Sequence, residues 1–172
     1  MRRLDVCMHE AGHAVAAVVL NLGLCYARVW QKMAVRQLDS GPAMASGHVR
    51  VRTASQSQWR RSTWRRRTAL MLLAGHLARD EYRQISARDD IGSHTDLSAA
   101  IYMLETPGHR ARRLVAAQLV SLLRQPRRET RALLRAHWPA VRAVARMLQR
   151  RGHLTGRQVR AIVRRTSATP GC

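Results

Sequence analysis

MHEAGHAVAAVV, Met8 to Val19, sets two histidines four residues apart, a glutamate beside the first, and an unbroken apolar run behind the second. Its periodicity and Ala and Leu content predict a helix over about Leu4 to Leu22, with Asn21 to Gly23 as a stop signal. Residues four apart stack on one helix face, so His9 and His13 offer one imidazole each to a single ion. Zinc takes such nitrogens at about 2.0–2.1 Å. Glu10 lies about 60° around the helix from His13. It is close enough to touch a water at the metal without being a ligand. This is the HExxH arrangement of two ligands and a general base. The bland reading is a helix that happens to carry two histidines. Against it stands the apolar setting, in which a buried histidine needs a purpose. Gly12 adds a hint, since a small residue there lets another backbone or a ligand come near.

A catalytic zinc needs a third protein ligand and an open position. The short-spaced third histidine of metzincins would fall at Val19, which excludes that class. The remaining candidates are Asp80, Glu81, Asp89, Asp90, Asp96, His76 and His94. Asp96 is favoured, because it opens a helix after a tight loop and can project from a fixed position. An acid there also suits a helix start for its own sake. Asp80 and Glu81, at a helix end, can instead orient a ligand histidine.

The 172 residues suffice for one domain with a real core. With no Phe, and aromatics at 4%, that core must be mostly Leu, Val, Ala, Ile and Met. The net charge is +21, and Lys32 is the only lysine. Residues 1–105 hold 15 basic and 9 acidic residues, a net of +6, while residues 106–172 hold 16 and 1, a net of +15. Such a surface attracts anions of any kind. WRRSTWRRR, Trp59 to Arg67, is the best single patch for single-stranded nucleic acid; its bland reading is a basic surface with tryptophans packed on the core. No sequence-reading nucleic-acid motif is found. Cys7, Cys25 and Cys172 form no CxxC pair, no signal peptide is evident, and the longest apolar run, Ala14 to Leu20, is too short to cross a bilayer. The expectation is a soluble cytoplasmic protein.

Along the chain, β-like stretches follow at Cys25–Trp30, Met33–Leu38 and Gly47–Arg52, with DSGPAMASG as a loop between the last two. TALMLLAGHLARDEYR is strongly helical, and SARDDIGSH is a loop. Thr95 is read as the cap of a helix DLSAAIYMLE with Asp96 in its first turn, and Pro107-Gly108 breaks it. Helices are then expected from about His109 to Gln125, from Pro126 to about His137, from Pro139 to Arg151 with Gly152 closing, and over LTGRQVRAIVRR with Thr155 as cap.

These residues resemble the zinc-binding protease domain of the FtsH family, peptidase family M41. HEAGHAVAA looks like its zinc helix, and ASGHVRVR like the strand after its first hairpin. RRTALMLLAGHLARDEY resembles its helix with an L-L-G-G-R-A-A-E-E core. IGSHTDLSAAIYML resembles its T-G-A-S-N-D-L segment, and LLRAHWPAVRAVARMLQRRGHLTGRQVRAI its closing helices. The likeness runs from about residue 4 to 165.

The resemblance implies a mainly α (α+β) fold: a zincin-like HExxH helix with a small β element, then a C-terminal helical bundle. It implies one peptidase domain over 1–165, with a zinc-site half at 1–105, a basic helical half at 106–165 and a flexible tail at 166–172. It implies zinc on His9, His13 and Asp96, Glu10 as the base, and a polypeptide substrate against the edge Gly47, His48, Val49, Arg50 and Val51. The sequence departs from the family in lacking a Walker A motif and membrane helices, so it is expected not to unfold substrates by itself. It is expected either to stand alone or to be recruited by a partner ATPase or full-length relative, with an oligomeric state left open. His94 and Thr95 replace a small residue and an Asn before Asp96; His94 is an extra ligand, a substrate contact or neutral. The alternative is a catalytically silent module whose basic surface meets nucleic acid or an acidic partner.

Overall fold

The computed structural model describes residues 3–31, 45–83, 94–105 and 116–167. It is mainly helical with a small antiparallel sheet. At its centre is α1 (Arg3–Val19), in which every residue from Asp5 to Ala17 is buried. A helix covered on all sides needs small and apolar residues all round, and the Ala and Val content supplies them. It ends in a Schellman turn. Leu22 N–H donates to Ala17 O, Asn21 N–H donates to Val18 O, and Asn21 takes the left-handed conformation at φ 55°. The predicted stop signal thus acts where expected.

β1 (Leu24–Gln31) and β2 (Ala45–Val51) pair antiparallel, with Ala27 opposite Val49 and Val29 opposite Gly47. On β1, Ala27 and Val29 are buried while Arg28 and Trp30 are exposed, as alternation requires. β3 (His153–Thr155), absent from the sequence expectations, joins the other side of β1 through Leu154. Three residues are too few to read by pattern, and tertiary pairing decides them. β2 also begins at Ala45, inside the stretch read as a loop. The expected Met33–Leu38 strand lies outside the described residues.

α2 (Gln56–Arg60) and α3 (Ser62–Arg83) follow. α2 starts at a capping box in which Gln58 N–H donates to Ser55 Oγ and Ser55 N–H donates to Gln58 Oε1. α3 begins earlier than the predicted TALMLL run, because its arginines are good helix formers. α4 (His94–Leu104) includes Thr95 within its first turn, so Thr95 is not the cap it was read to be. Asp96 is nonetheless in that turn.

α5 (Ala116–Ala136) corrects the expected break at Pro126. A proline inside a helix loses one hydrogen bond and costs about 3 kcal/mol. Continuity keeps Leu123, Pro126, Thr130 and Leu134 on one buried face, and the Thr130 hydroxyl donates to Pro126 O at 2.8 Å. α6 (Trp138–Arg151) ends at Gly152 with φ 69°, and α7 (Gly156–Ser167) is capped by Thr155, whose Oγ1 accepts from Gln158 N–H at 3.3 Å. Both agree with the sequence reading. One hydrophobic cluster, dominated by Ala, Val and Leu, runs from Val6 to Val163. Among the described residues no helix is long and apolar enough to cross a membrane.

α1 packs most extensively on α3. The crossing is close at Gly12, where a Cβ would lie 2.4 Å from Ala74 O and 2.6 Å from Ala78 Cβ. Gly12→Ala should therefore destabilise by about 1–3 kcal/mol, although alanine is the better helix former by roughly 1 kcal/mol. Urea unfolding of the two proteins measures this; a higher midpoint for the alanine variant would contradict the close crossing.

Candidate metal centre

His9 and His13 sit one turn apart on α1 and are both buried. Their Nε2 atoms are 3.0 Å apart, and their rings are nearly perpendicular at 86°. Asp96 reaches them from the first turn of α4. Its Oδ2 lies 3.0 Å from His9 Nε2 and 3.2 Å from His13 Nε2. Three ligand atoms from two elements thus meet around one point. Among the described residues, His9, His13 and Asp96 are the group that could hold a metal ion.

The third wall is α3. His13 Nδ1–H donates to Met71 O at 2.7 Å, which fixes the tautomer and leaves Nε2 as a lone pair in the neutral ring. Gly75 makes room for that ring: a Cβ there would stand 2.3 Å from His13 Nε2. His76 is buried beside His9, with ring centroids 5.1 Å apart.

The donor set fits a cation. With Nδ1–H given to Met71 O, His13 meets Asp96 Oδ2 through Nε2 alone, and one proton there cannot serve His9 Nε2 and Asp96 Oδ2 equally. One ion facing all three atoms satisfies them together. Their spacings of 3.0, 3.0 and 3.2 Å are near the roughly 3.3 Å between ligands arranged tetrahedrally around zinc. His9 Nδ1 is buried without a hydrogen-bond partner among the described residues. Two nitrogens and one carboxylate oxygen form a set suited to zinc and to other divalent transition metals.

Charge in the group is uneven. Burial, then the neighbouring His13, pulls His9 down to about 4. Burial opposes the charged form of His13, but its hydrogen bond with Asp96 and the charge of Glu10 outweigh it and raise its pKa. Burial likewise opposes the Asp96 carboxylate, and the hydrogen bonds with His13 and His9 override it, holding the carboxyl well below its usual range.

No family model matches this chain, and no curated protein matches it. What the site can do is therefore read from its own atoms.

Glu10 lines the same cavity, of about 360 Å³, without belonging to the ligand group. It is 6% exposed, and burial pushes its carboxyl up to about 7. A base poised near neutrality suits proton transfer. The opposite wall is β2. Gly47 lies against the Glu10 side chain so closely that a Cβ would be 2.4 Å from Glu10 Cγ. His48 and Val49 also line the cavity, whereas Arg50 and Val51 do not. In the described sheet β2 is an edge strand.

Asp80 and Glu81 do not belong to the ligand group. Asp80 pairs with Arg79 at 3.2 Å, Glu81 is exposed at the end of α3, and His94 opens α4. Asp89 and Asp90 lie outside the described residues. Sequence reasoning missed Met71 and Leu72, which line the cavity. Met71 also acts through its backbone carbonyl, a group that every residue type carries and no side-chain pattern reveals.

Proposed function

We propose that this protein is a zinc-dependent metalloendopeptidase that hydrolyses unfolded or short polypeptides without ATP. The observation that carries the proposal is the meeting of His9 Nε2, His13 Nε2 and Asp96 Oδ2 within 3.2 Å, with the buried Glu10 in the same cavity. The sequence likeness to the FtsH protease domain supports the same reading. His9, His13 and Asp96 would hold the zinc. When bound, zinc supplies Lewis acidity, which polarises a carbonyl and acidifies water.

The remaining work falls to this chain's own groups. Glu10 takes a proton from the attacking water on its carboxylate and delivers it to the leaving amine, so the base is regenerated. Met71 O keeps the His13 proton on Nδ1. The backbone of Gly47 to Val49 offers an extended substrate main-chain hydrogen bonds, which select conformation more than sequence. That mode suits loose polypeptides, since a folded domain rarely presents a free strand.

The test is metal content and cleavage measured together. Protein purified without added metal should carry about one zinc per chain and cut a labelled unfolded polypeptide. Chelation should abolish cleavage, and added zinc should restore it. Zinc-loaded protein that leaves every unfolded substrate intact would overturn the enzymatic reading.

A further inference from the structure

The arginine-rich stretch Trp59 to Arg67 takes no part in the metal centre; it builds the junction of α2 and α3. Arg61 interrupts the helices with extended backbone, at φ −77° and ψ 123°. This junction, the turn after α1 and the segment after β2 line an open surface cavity of about 510 Å³. Three arginines from different places line it: Arg52 beyond β2, Arg61 between the helices, and Arg67 in α3. No carboxylate lines it among the described residues.

Two neighbouring arginines are engaged elsewhere. Arg66 pairs with Glu129 at 2.6 Å, and Arg65 donates to the carbonyls of Tyr102 and Glu105. Among the described residues the guanidinium groups of Arg52, Arg61 and Arg67 have no such partner. All three side chains are exposed, and together they give the hollow a positive potential that favours an anion.

The rest of the lining suits an anion with several oxygens. Thr53 and Thr63 bring hydroxyls. Gln58 Oε1 is already taken by Ser55 N–H, so what that amide has left to offer is its two N–H donors. Thr63 stands in the first turn of the 22-residue α3, the positive end of that helix. Trp64 forms an apolar wall, with its ring 5.3 Å from that of Trp59.

The geometry points to a binding site for a small phosphate-bearing molecule in this cavity. Guanidinium forks match phosphate oxygens two at a time, and three of them favour a multiply charged group over a single carboxylate. The volume lies in the range of small-ligand pockets. The arginines gather around one hollow and do not track along a groove, which favours a small molecule over a nucleic-acid strand. The site uses none of the metal-centre residues and stands or falls independently of the peptidase reading.

Because the whole chain is strongly basic, the test must separate this cavity from diffuse charge. Inorganic pyrophosphate is titrated calorimetrically into the full chain at about 0.15 M salt, where distant surface charges are screened. Arg61→Ala/Arg67→Ala is compared with Arg142→Ala/Arg146→Ala, which removes equal charge from exposed positions on α6. Saturable binding is expected, weakened about tenfold or more by the first pair and less than about threefold by the second. Absence of saturable binding, or equal weakening by both pairs, overturns the proposal. So does binding of a single-stranded oligonucleotide with none of pyrophosphate. Far-UV circular dichroism checks that the variants fold, and Arg67→Gln alone, at an exposed position, provides the same comparison if the double variant does not.

Discussion

Glu10→Gln is expected to lower the rate of peptide cleavage by about 10²–10⁴-fold while leaving zinc content unchanged. The amide has nearly the shape of the carboxyl, so the contact with Gly47 that crowds the side chain on the β2 side is kept. It cannot accept the proton of the attacking water, and that function is lost. Metal content should hold because Glu10 is outside the group formed by His9, His13 and Asp96. Stability gives a separate check. Burial raises the carboxyl from 4.5 to about 7 in the metal-free chain. A carboxyl whose pKa is raised by folding opposes folding when ionised. That penalty is absent below the unfolded value, grows between the two, and is complete above about 7. The metal-free glutamine variant should therefore unfold at the same or a higher temperature than wild type above neutrality, and the difference should vanish in acid. Cleavage at the wild-type rate by Glu10→Gln would remove Glu10 from the mechanism.

The second large effect is expected from Asp96→Ala, which should weaken zinc binding by more than about 100-fold. Loss of a residue that merely supports a metal ligand costs roughly 10–100-fold, and Asp96 is placed as a ligand itself. Its carboxylate is also the anion that offsets the metal's charge within the group. The two histidines that remain have Nε2 atoms 3.0 Å apart and would hold zinc through two bonds only. The fold should survive, because α4 is anchored through Ala100, Leu97 and Ile101 against the core and not through Asp96 alone. Competition with a chromophoric chelator measures the affinity, and circular dichroism checks the fold. Wild-type affinity in the variant would mean that another residue supplies the third ligand, with His76, buried beside His9, the first to test.

Local features of the chain were legible wherever a short-range signal carried them. The stop at Asn21, the closing turn at Gly152 and the Thr155 cap each depend on a few neighbouring residues, and each stands where the sequence put it. The capping box at Ser55 and Gln58 is equally local, but it opens a five-residue helix with no buried face and so no hydrophobic periodicity to mark it. Pro126 misled for the opposite reason. Its local cost is real, but the buried face it shares with Leu123, Thr130 and Leu134 outweighs it, and that face exists only in the packed structure.

The same division runs through the candidate site. By itself the sequence determined that His9 and His13 share a helix face with Glu10 beside them, because helical geometry fixes neighbours four residues apart. It also determined the helical class of the fold and the uneven distribution of positive charge. It favoured Asp96 among seven candidate third ligands, but no local pattern places that carboxylate at the histidines. Asp96 is 83 and 87 residues from the histidines it meets, and no short-range rule sets such a distance. Tertiary structure decided it through the close approach of α1 and α3 at Gly12 and Gly75, where the absence of side chains lets α3 bring Met71 O and α4 onto the histidines. Likewise Arg52 and Arg67 are 15 positions apart in the chain, and only the packing of β2, α2 and α3 makes them walls of one cavity. Helical periodicity propagates along the chain, whereas convergence of side chains in space depends on which surfaces can bury each other.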